Sequence, residues 1–173
     1  MRSKTLLKLI DEAIVPAVIL VATKIVSIIL VSSYLKLNWE FTKSGITFYN
    51  KEDFVTANSI SSIFMYGVIF SILIWIIFQS QVLCESRVKP KTVNFLVSQG
   101  LYNLVISTVD IYSRGLIWFS YAVLTSTILF FQYQSGLVNL FVVSISGVLT
   151  ILAGAFLFFD LEKELGYFFS NRS

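Results

Sequence analysis

The sequence predicts an all-α integral membrane protein, a four-transmembrane-helix bundle with a long third helix and a small external β-hairpin between helices 1 and 2. Three observations support this prediction. Of the 173 residues, 56% are hydrophobic and only 13% are charged, whereas about 25% of residues are charged in soluble domains. The hydrophobic residues fall in runs that approach or exceed the roughly 20 residues of a transmembrane helix. The basic residues collect on one side of the resulting arrangement.

Four runs are predicted to be transmembrane spans, and they cover residues 14–35, 59–83, 114–133 and 137–159. Arg2, Lys4 and Lys8 precede the first run. At roughly 20 residues this run is too long for the hydrophobic region of a signal peptide, so we expect it to be retained as a span. A short polar turn precedes the last run, which predicts that the third and fourth helices pack antiparallel.

Residues 36–50 predict the external β-hairpin. Apolar and polar side chains alternate with a period of two on both sides of Gly45, as they do in strands. Gly45 suits the left-handed position of a hairpin loop of about three to five residues. The aromatic side chains of the hairpin form a candidate partner surface at the membrane boundary, and they are Trp39, Phe41, Phe48 and Tyr49.

The second helix is expected to begin outside the membrane. Asn50 is its predicted N-cap, and Tyr49 and Phe54 occupy the positions of a hydrophobic staple. Farther along, small polar side chains recur on one face of this helix, at Asn58, Ser61 and Ser62.

The stretch 93–133 is longer than one crossing requires and leaves the topology open. Its first part, 93–113, carries a polar stripe of helical period. We expect this part to be an interfacial or cytoplasmic helix extension, so that only 114–133 crosses. A tight turn at 112–115 would instead give five spans.

Basic residues favour four spans with both termini in the cytoplasm, as in a bacterial-type cytoplasmic membrane. In that arrangement Lys36, Lys43 and Lys51 are the only basic residues outside. The side of the termini holds Arg2, Lys4, Lys8, Arg87, Lys89, Lys91, Lys163 and Arg172, with Arg114 at its edge. Five spans would remove this asymmetry. Within the cytoplasmic linker 84–92, anionic lipid could contact Arg87, Lys89 and Lys91.

Lys24 falls at the centre of the first span, where a charge costs about 2.5 to 3.5 kcal/mol on insertion scales. Unless the span is shifted, we expect Lys24 to face protein or water, either as a structural lysine or as part of an ion or anion site. Asp110 and Arg114, four residues apart, suit an intrahelical ion pair at the inner membrane surface. A direct pair between Lys24 and Asp110 would need a deeper third helix.

The last span carries a predicted helix-packing face of small side chains, Ser144, Gly147, Thr150 and Gly154. Beyond this span, Asp160 and Glu164 predict a solvated acidic end that faces the basic linker.

The sequence contains no histidine and a single cysteine, Cys84, which removes the commonest general base and metal ligand. It also lacks phosphate-binding and nucleic-acid motifs. We therefore expect no enzymatic activity, cofactor, metal or nucleic-acid partner. The predicted function is that of a non-catalytic multi-pass membrane protein, a subunit, anchor or assembly factor of a larger complex, or a protein that self-associates. The alternative is a small oligomeric channel or transporter that uses Lys24 and Asp110.

Overall fold

The computed structural model describes the backbone of residues 2–43, 45–83 and 108–170, and the side chains of residues 13–43, 45–82 and 110–163. These residues are mostly helical. In chain order the elements are α1 (Arg2–Tyr34), β1 (Trp39–Thr42), β2 (Gly45–Phe48), α2 (Lys51–Leu83), α3 (Thr108–Gln134) and α4 (Leu140–Ser170). The predicted basic linker, 84–92 with Arg87, Lys89 and Lys91, and most of the predicted helix extension, 93–107, lie outside the described residues.

Four helices in the described part of the chain are long and apolar enough to cross a membrane, as the sequence predicted for these runs. The candidate spans are Ala13–Tyr34, Lys51–Val82, Asp110–Gln134 and Leu140–Lys163. The third candidate span begins at Asp110, four residues before the predicted start at 114. The helix α3 runs without interruption through residues 112–115, so the turn that five spans would need is not formed.

The helices pack in an arrangement centred on α2. This helix contacts α1, α3 and α4, and α3 also packs along α4. Apolar side chains from all four helices fill the main core, including Leu20, Leu73, Leu129 and Ala153. A smaller cluster near the C-terminal end of α2 joins Ile76 to Ile111 at the beginning of α3.

Large apolar side chains also cover the outside of the bundle. Val18, Leu30, Phe141 and Ile151 are among the most exposed of them. Helices that are apolar on all sides are typical of membrane spans, because lipid replaces water around them. The outer surface therefore fits a hydrocarbon environment.

The predicted β-hairpin is confirmed as a two-stranded antiparallel sheet in which Trp39 pairs with Phe48 and Phe41 with Ile46. Thr42 pairs with Gly45, so only residues 43 and 44 separate the strands. This loop is shorter than the predicted three to five residues. Gly45 has a φ of +118°, a backbone conformation that side chains with a Cβ atom rarely adopt.

The hairpin packs on the first turn of α2 through Phe48. The Phe48 and Phe54 rings meet edge to face, with centroids 5.7 Å apart. We predicted Tyr49 in this role, but successive strand residues point to opposite faces, and Tyr49 lies on the side of Glu40 instead. Asp53 reaches back from α2 and accepts a hydrogen bond from the backbone nitrogen of Asn38 at 3.4 Å.

A tight turn connects α3 to α4, which makes these two helices antiparallel. Gly136 follows the last turn of α3 with a φ of +68°, and the backbone nitrogen of Leu137 donates to the carbonyl of Gln132 at 2.9 Å. This arrangement is the usual glycine-based end of a helix. It brings residues 135–139 beside α2, where polar side chains bind them.

Candidate functional site

Lys24 lies between α1 and α2, with its ammonium group directed at α2. The ammonium donates to the backbone carbonyl of Asn58 at 2.9 Å, to Ser61 Oγ at 2.8 Å and to Ser62 Oγ at 2.5 Å. A lysine ammonium has three donors, so each has an acceptor on the neighbouring helix. The serine recurrence seen in the sequence supplies these acceptors because residues 58, 61 and 62 lie on one helix face.

The Asn58 side chain extends this network to the end of α3. Asn58 Nδ2 donates to Gln132 Oε1 at 3.3 Å and to the backbone carbonyl of Leu137 at 2.9 Å. Next to it, Ser59 Oγ accepts a hydrogen bond from the backbone nitrogen of Asn139 at 3.0 Å. One turn of α2 therefore holds both Lys24 and the connection between α3 and α4. We define Lys24, Asn58, Ser61, Ser62 and Gln132 as the lysine cluster.

A groove of about 330 Å³ opens beside the lysine cluster, between α1, α2 and α3. Apolar side chains such as Val21, Leu124 and Ile128 form most of its walls. The polar and charged residues among its lining are Lys24, Ser62, Tyr121, Thr125 and Gln132. The groove thus combines an apolar surface with one positive charge.

The structure does not bring Lys24 and Asp110 together. Lys24 binds α2 at Ser61, whereas the first turn of α3 packs beside Ile76 through Ile111. Fifteen residues separate Ser61 from Ile76, which is roughly 22 Å along a helix. Asp110 and Arg114 both lie near the start of α3, where Arg114 is exposed.

A second polar cluster lies near the opposite end of the bundle from the hairpin. Asp160 of α4 is only 5% exposed. Its carboxylate accepts hydrogen bonds from the hydroxyl of Ser80 and, at 3.1 Å, from Tyr112 OH, which also reaches the Asp160 backbone carbonyl at 3.2 Å. The predicted solvated position of Asp160 is therefore wrong. Glu162, two residues farther along, points to the opposite side of α4 and is exposed.

The predicted small-residue face of α4 is divided between the bundle and its outside. Thr150 shares hydrogen bonds with Tyr66 and, at 2.8 Å, with Ser126, and a Cβ atom added at Gly154 would lie 3.0 Å from the Phe119 ring. In contrast, Ser144 is exposed and a Cβ atom at Gly147 would meet nothing within 4 Å. Among the α4 side chains that the structure describes, the buried ones are Val142, Ser146, Ala153 and Asp160.

The four hairpin aromatics are also placed differently from one another. Phe48 packs on α2, and Trp39 is half-buried with its ring edge-on to Phe41 at 5.1 Å. Phe41 is 66% exposed and Tyr49 is 70% exposed. Tyr49 OH donates to Glu40 Oε2 at 2.7 Å, and this hydrogen bond, together with the carboxylate charge, raises the pKa of Tyr49 above its usual value.

The part of the chain that the structure describes contains no group of three or more His, Cys, Asp and Glu side chains placed to hold a metal ion. In comparisons with known proteins, no family model, no curated protein and no solved structure matches the chain.

Proposed function

We propose that the chain is a non-catalytic subunit, anchor or assembly factor of a larger membrane complex. The observation that carries this proposal is that the interior polar side chains form hydrogen bonds between helices. Lys24 joins α1 to α2, Asn58 joins α2 to the connection between α3 and α4, and Asp160 joins α4 to α2 and α3. These groups hold the helices together, as interhelical hydrogen bonds do in membrane proteins.

The hairpin supports the same proposal from outside the bundle. It places the exposed Phe41 beyond the end of α2, on a short sheet that is anchored by Phe48. Aromatic side chains of this kind are enriched where proteins contact each other. Two further parts of the proposal are that the membrane is a bacterial-type cytoplasmic membrane and that the hairpin faces its outer side, because few basic residues accompany the hairpin.

Single-cysteine labelling tests the proposed orientation. In a Cys84→Ser background, Lys43→Cys places one thiol on the hairpin and Lys163→Cys places one at the far end of α4, both at exposed positions. We expect a membrane-impermeant maleimide added to intact cells to label Lys43→Cys and to label Lys163→Cys only after permeabilisation. The reverse pattern would show the opposite orientation, and labelling of both from outside would contradict an even number of spans.

The size of the extracted particle tests the proposed function. In a mild detergent such as digitonin we expect the protein to migrate well above its own 19.6 kDa plus a detergent micelle, and to shift to the monomer position in SDS. Phe41→Ala should lower recovery of the large particle, because Phe41 is exposed on the hairpin, where its ring contacts Trp39.

Phe156→Ala is the matched control for Phe41→Ala, because Phe156 is similarly exposed but lies on the apolar surface of α4. It should leave the large particle unchanged. A homogeneous monomer in mild detergent would contradict the proposal. An ion flux through vesicles that contain the purified protein, abolished by Lys24→Met, would point instead to a channel.

A further inference from the structure

The groove beside Lys24 has the chemistry of a site for a carboxylate. Its polar and charged lining residues are Lys24 on α1, Ser62 on α2, and Tyr121, Thr125 and Gln132 on α3. No Asp or Glu lines this groove among the described residues, and the hydrogen-bond acceptors of the Lys24 ammonium are neutral. The positive charge is therefore solvated by dipoles and has no counter-charge in the described part of the bundle.

Two further donors in the groove are unused. Thr125 is only 7% exposed, and within the described residues its hydroxyl forms no hydrogen bond. Gln132 uses its side-chain oxygen to accept from Asn58, while its amide nitrogen has no acceptor among the described residues. Thr125 and Gln132 therefore add spare donors beside the positive charge of Lys24, whose own three donors are taken by α2.

The depth of the groove indicates what kind of molecule carries that acceptor. Lys24 lies ten residues before Tyr34, the end of α1, and Thr125 lies nine residues before Gln134, the end of α3. At 1.5 Å per residue both are about 14 Å from the hairpin end of their helices. The hydrocarbon core is roughly 30 Å thick, so this depth is near its middle. Lipid headgroups lie at the surface, whereas a transmembrane helix can hold a carboxylate at the centre.

We propose that the groove receives a transmembrane helix of a partner protein, and that an Asp or Glu near the middle of that helix pairs with Lys24. The inference rests on the proposed function, because it names the class of partner in the complex. Both charged groups are already inside the membrane before they meet, so their pairing adds little new dehydration to oppose the attraction. The apolar walls contact the apolar face of the incoming helix, and Thr125 and Gln132 donate to its carboxylate.

A designed helix tests the proposal without any change to the residues of the groove. The probe is a Leu/Ala peptide of about 22 residues, labelled with a fluorophore and carrying Asp, Asn, Leu or Lys at its centre. The full chain carries the acceptor dye, and both are placed in phosphatidylcholine vesicles. We expect energy transfer to report binding of the Asp peptide about tenfold tighter than the Asn or Leu peptides, and exclusion of the Lys peptide. Equal binding of the Asp and Leu peptides would overturn the proposal.

Variants of the protein then assign the preference to the groove. Lys24→Met should bring the Asp-to-Leu preference to about one, and Thr125→Val should reduce it severalfold. Lys24→Met is expected to fold, because the hydroxyls of Ser61 and Ser62 still donate to the Asn58 carbonyl. Lys51→Met is the matched control, since Lys51 is exposed at the beginning of α2. This variant should retain the full preference for the Asp peptide over the Leu peptide. A preference that survives Lys24→Met would overturn the proposal.

A fatty acid is the other possible source of a carboxylate, and oleate provides that arm of the experiment. If oleate binds in a Lys24-dependent way while the Asp peptide shows no preference, the occupant is a lipid and the proposed helix is wrong. The result also separates this inference from the proposed function. If the protein is extracted in mild detergent as a large particle but shows no preference for the Asp peptide, the inference alone is overturned. If it is extracted as a monomer but prefers the Asp peptide, the proposed function alone is overturned.

Discussion

Replacing Asp160 with alanine should lower the free energy of unfolding by about 2 kcal/mol. The carboxylate is buried and accepts hydrogen bonds from Ser80 and Tyr112, and hydrogen bonds to charged groups contribute about 1.5–3 kcal/mol each. Part of this loss is offset, because alanine removes a buried charge and the Tyr112 hydroxyl can keep its bond to the backbone carbonyl of residue 160. Unfolding by SDS in mixed micelles measures the difference.

Glu162→Ala is the matched control for Asp160→Ala. It removes a carboxylate from the same helix at an exposed position, so its effect should stay within about 0.5 kcal/mol. Asp160→Asn should fall between the two, because its amide oxygen still accepts hydrogen bonds. If Asp160→Ala and Glu162→Ala unfold at the same SDS fraction, the second polar cluster does not stabilise the bundle.

Replacing Asn58 with leucine should lower the free energy of unfolding by about 1–3 kcal/mol, since interhelical hydrogen bonds in membranes contribute about 0.6–1.7 kcal/mol each. The change removes two hydrogen bonds, to Gln132 and to the carbonyl of Leu137. It leaves the bonds from Lys24 to the residue 58 carbonyl and to the serines in place, because they do not use the Asn58 side chain.

The same micelle titration measures the Asn58→Leu effect, and Gln134→Leu is its control because Gln134 is exposed at the end of α3. A spin label near Gly136 should also become more mobile in Asn58→Leu, since the connection between α3 and α4 loses its side-chain anchor. Unchanged stability and unchanged label mobility would contradict the role that we assign to Asn58.

The helices could be predicted from the sequence because each apolar run is long enough to span a bilayer and little else explains such a run. The hairpin was predictable for a similar reason, since alternation on both sides of Gly45 fits a pair of strands and no helix. The predicted membrane boundary at residue 114 coincides with no break in the helix. Asp110 and Arg114 suggested a membrane boundary, but the helix continues through both, and its length depends on packing against α2 and α4.

The partners of individual side chains could not be predicted, because they depend on how the helices are rotated about their axes. Lys24 was expected to face protein or water, and its hydrogen-bond acceptors are on Asn58, Ser61 and Ser62. The sequence shows that these three residues share a helix face, but it does not show which helix that face contacts. The sequence predicted a solvated Asp160 because charged residues follow it. Its neighbour Glu162 is rotated by about 200° around the helix at 3.6 residues per turn, so one carboxylate is buried and the other exposed.

The hydrogen bonds of Lys24 have a consequence for the order in which the chain enters the membrane. Synthesis proceeds from the N-terminus, so α1 reaches the bilayer before Asn58, Ser61 and Ser62 have entered it. Until then the lysine faces lipid or the insertion machinery, at a cost of about 2.5–3.5 kcal/mol. The segment from α1 to the first half of α2, hairpin included, is the smallest part of the chain that holds all three acceptors of this ammonium. The groups that solvate the charge of the first helix thus lie more than thirty positions later in the chain.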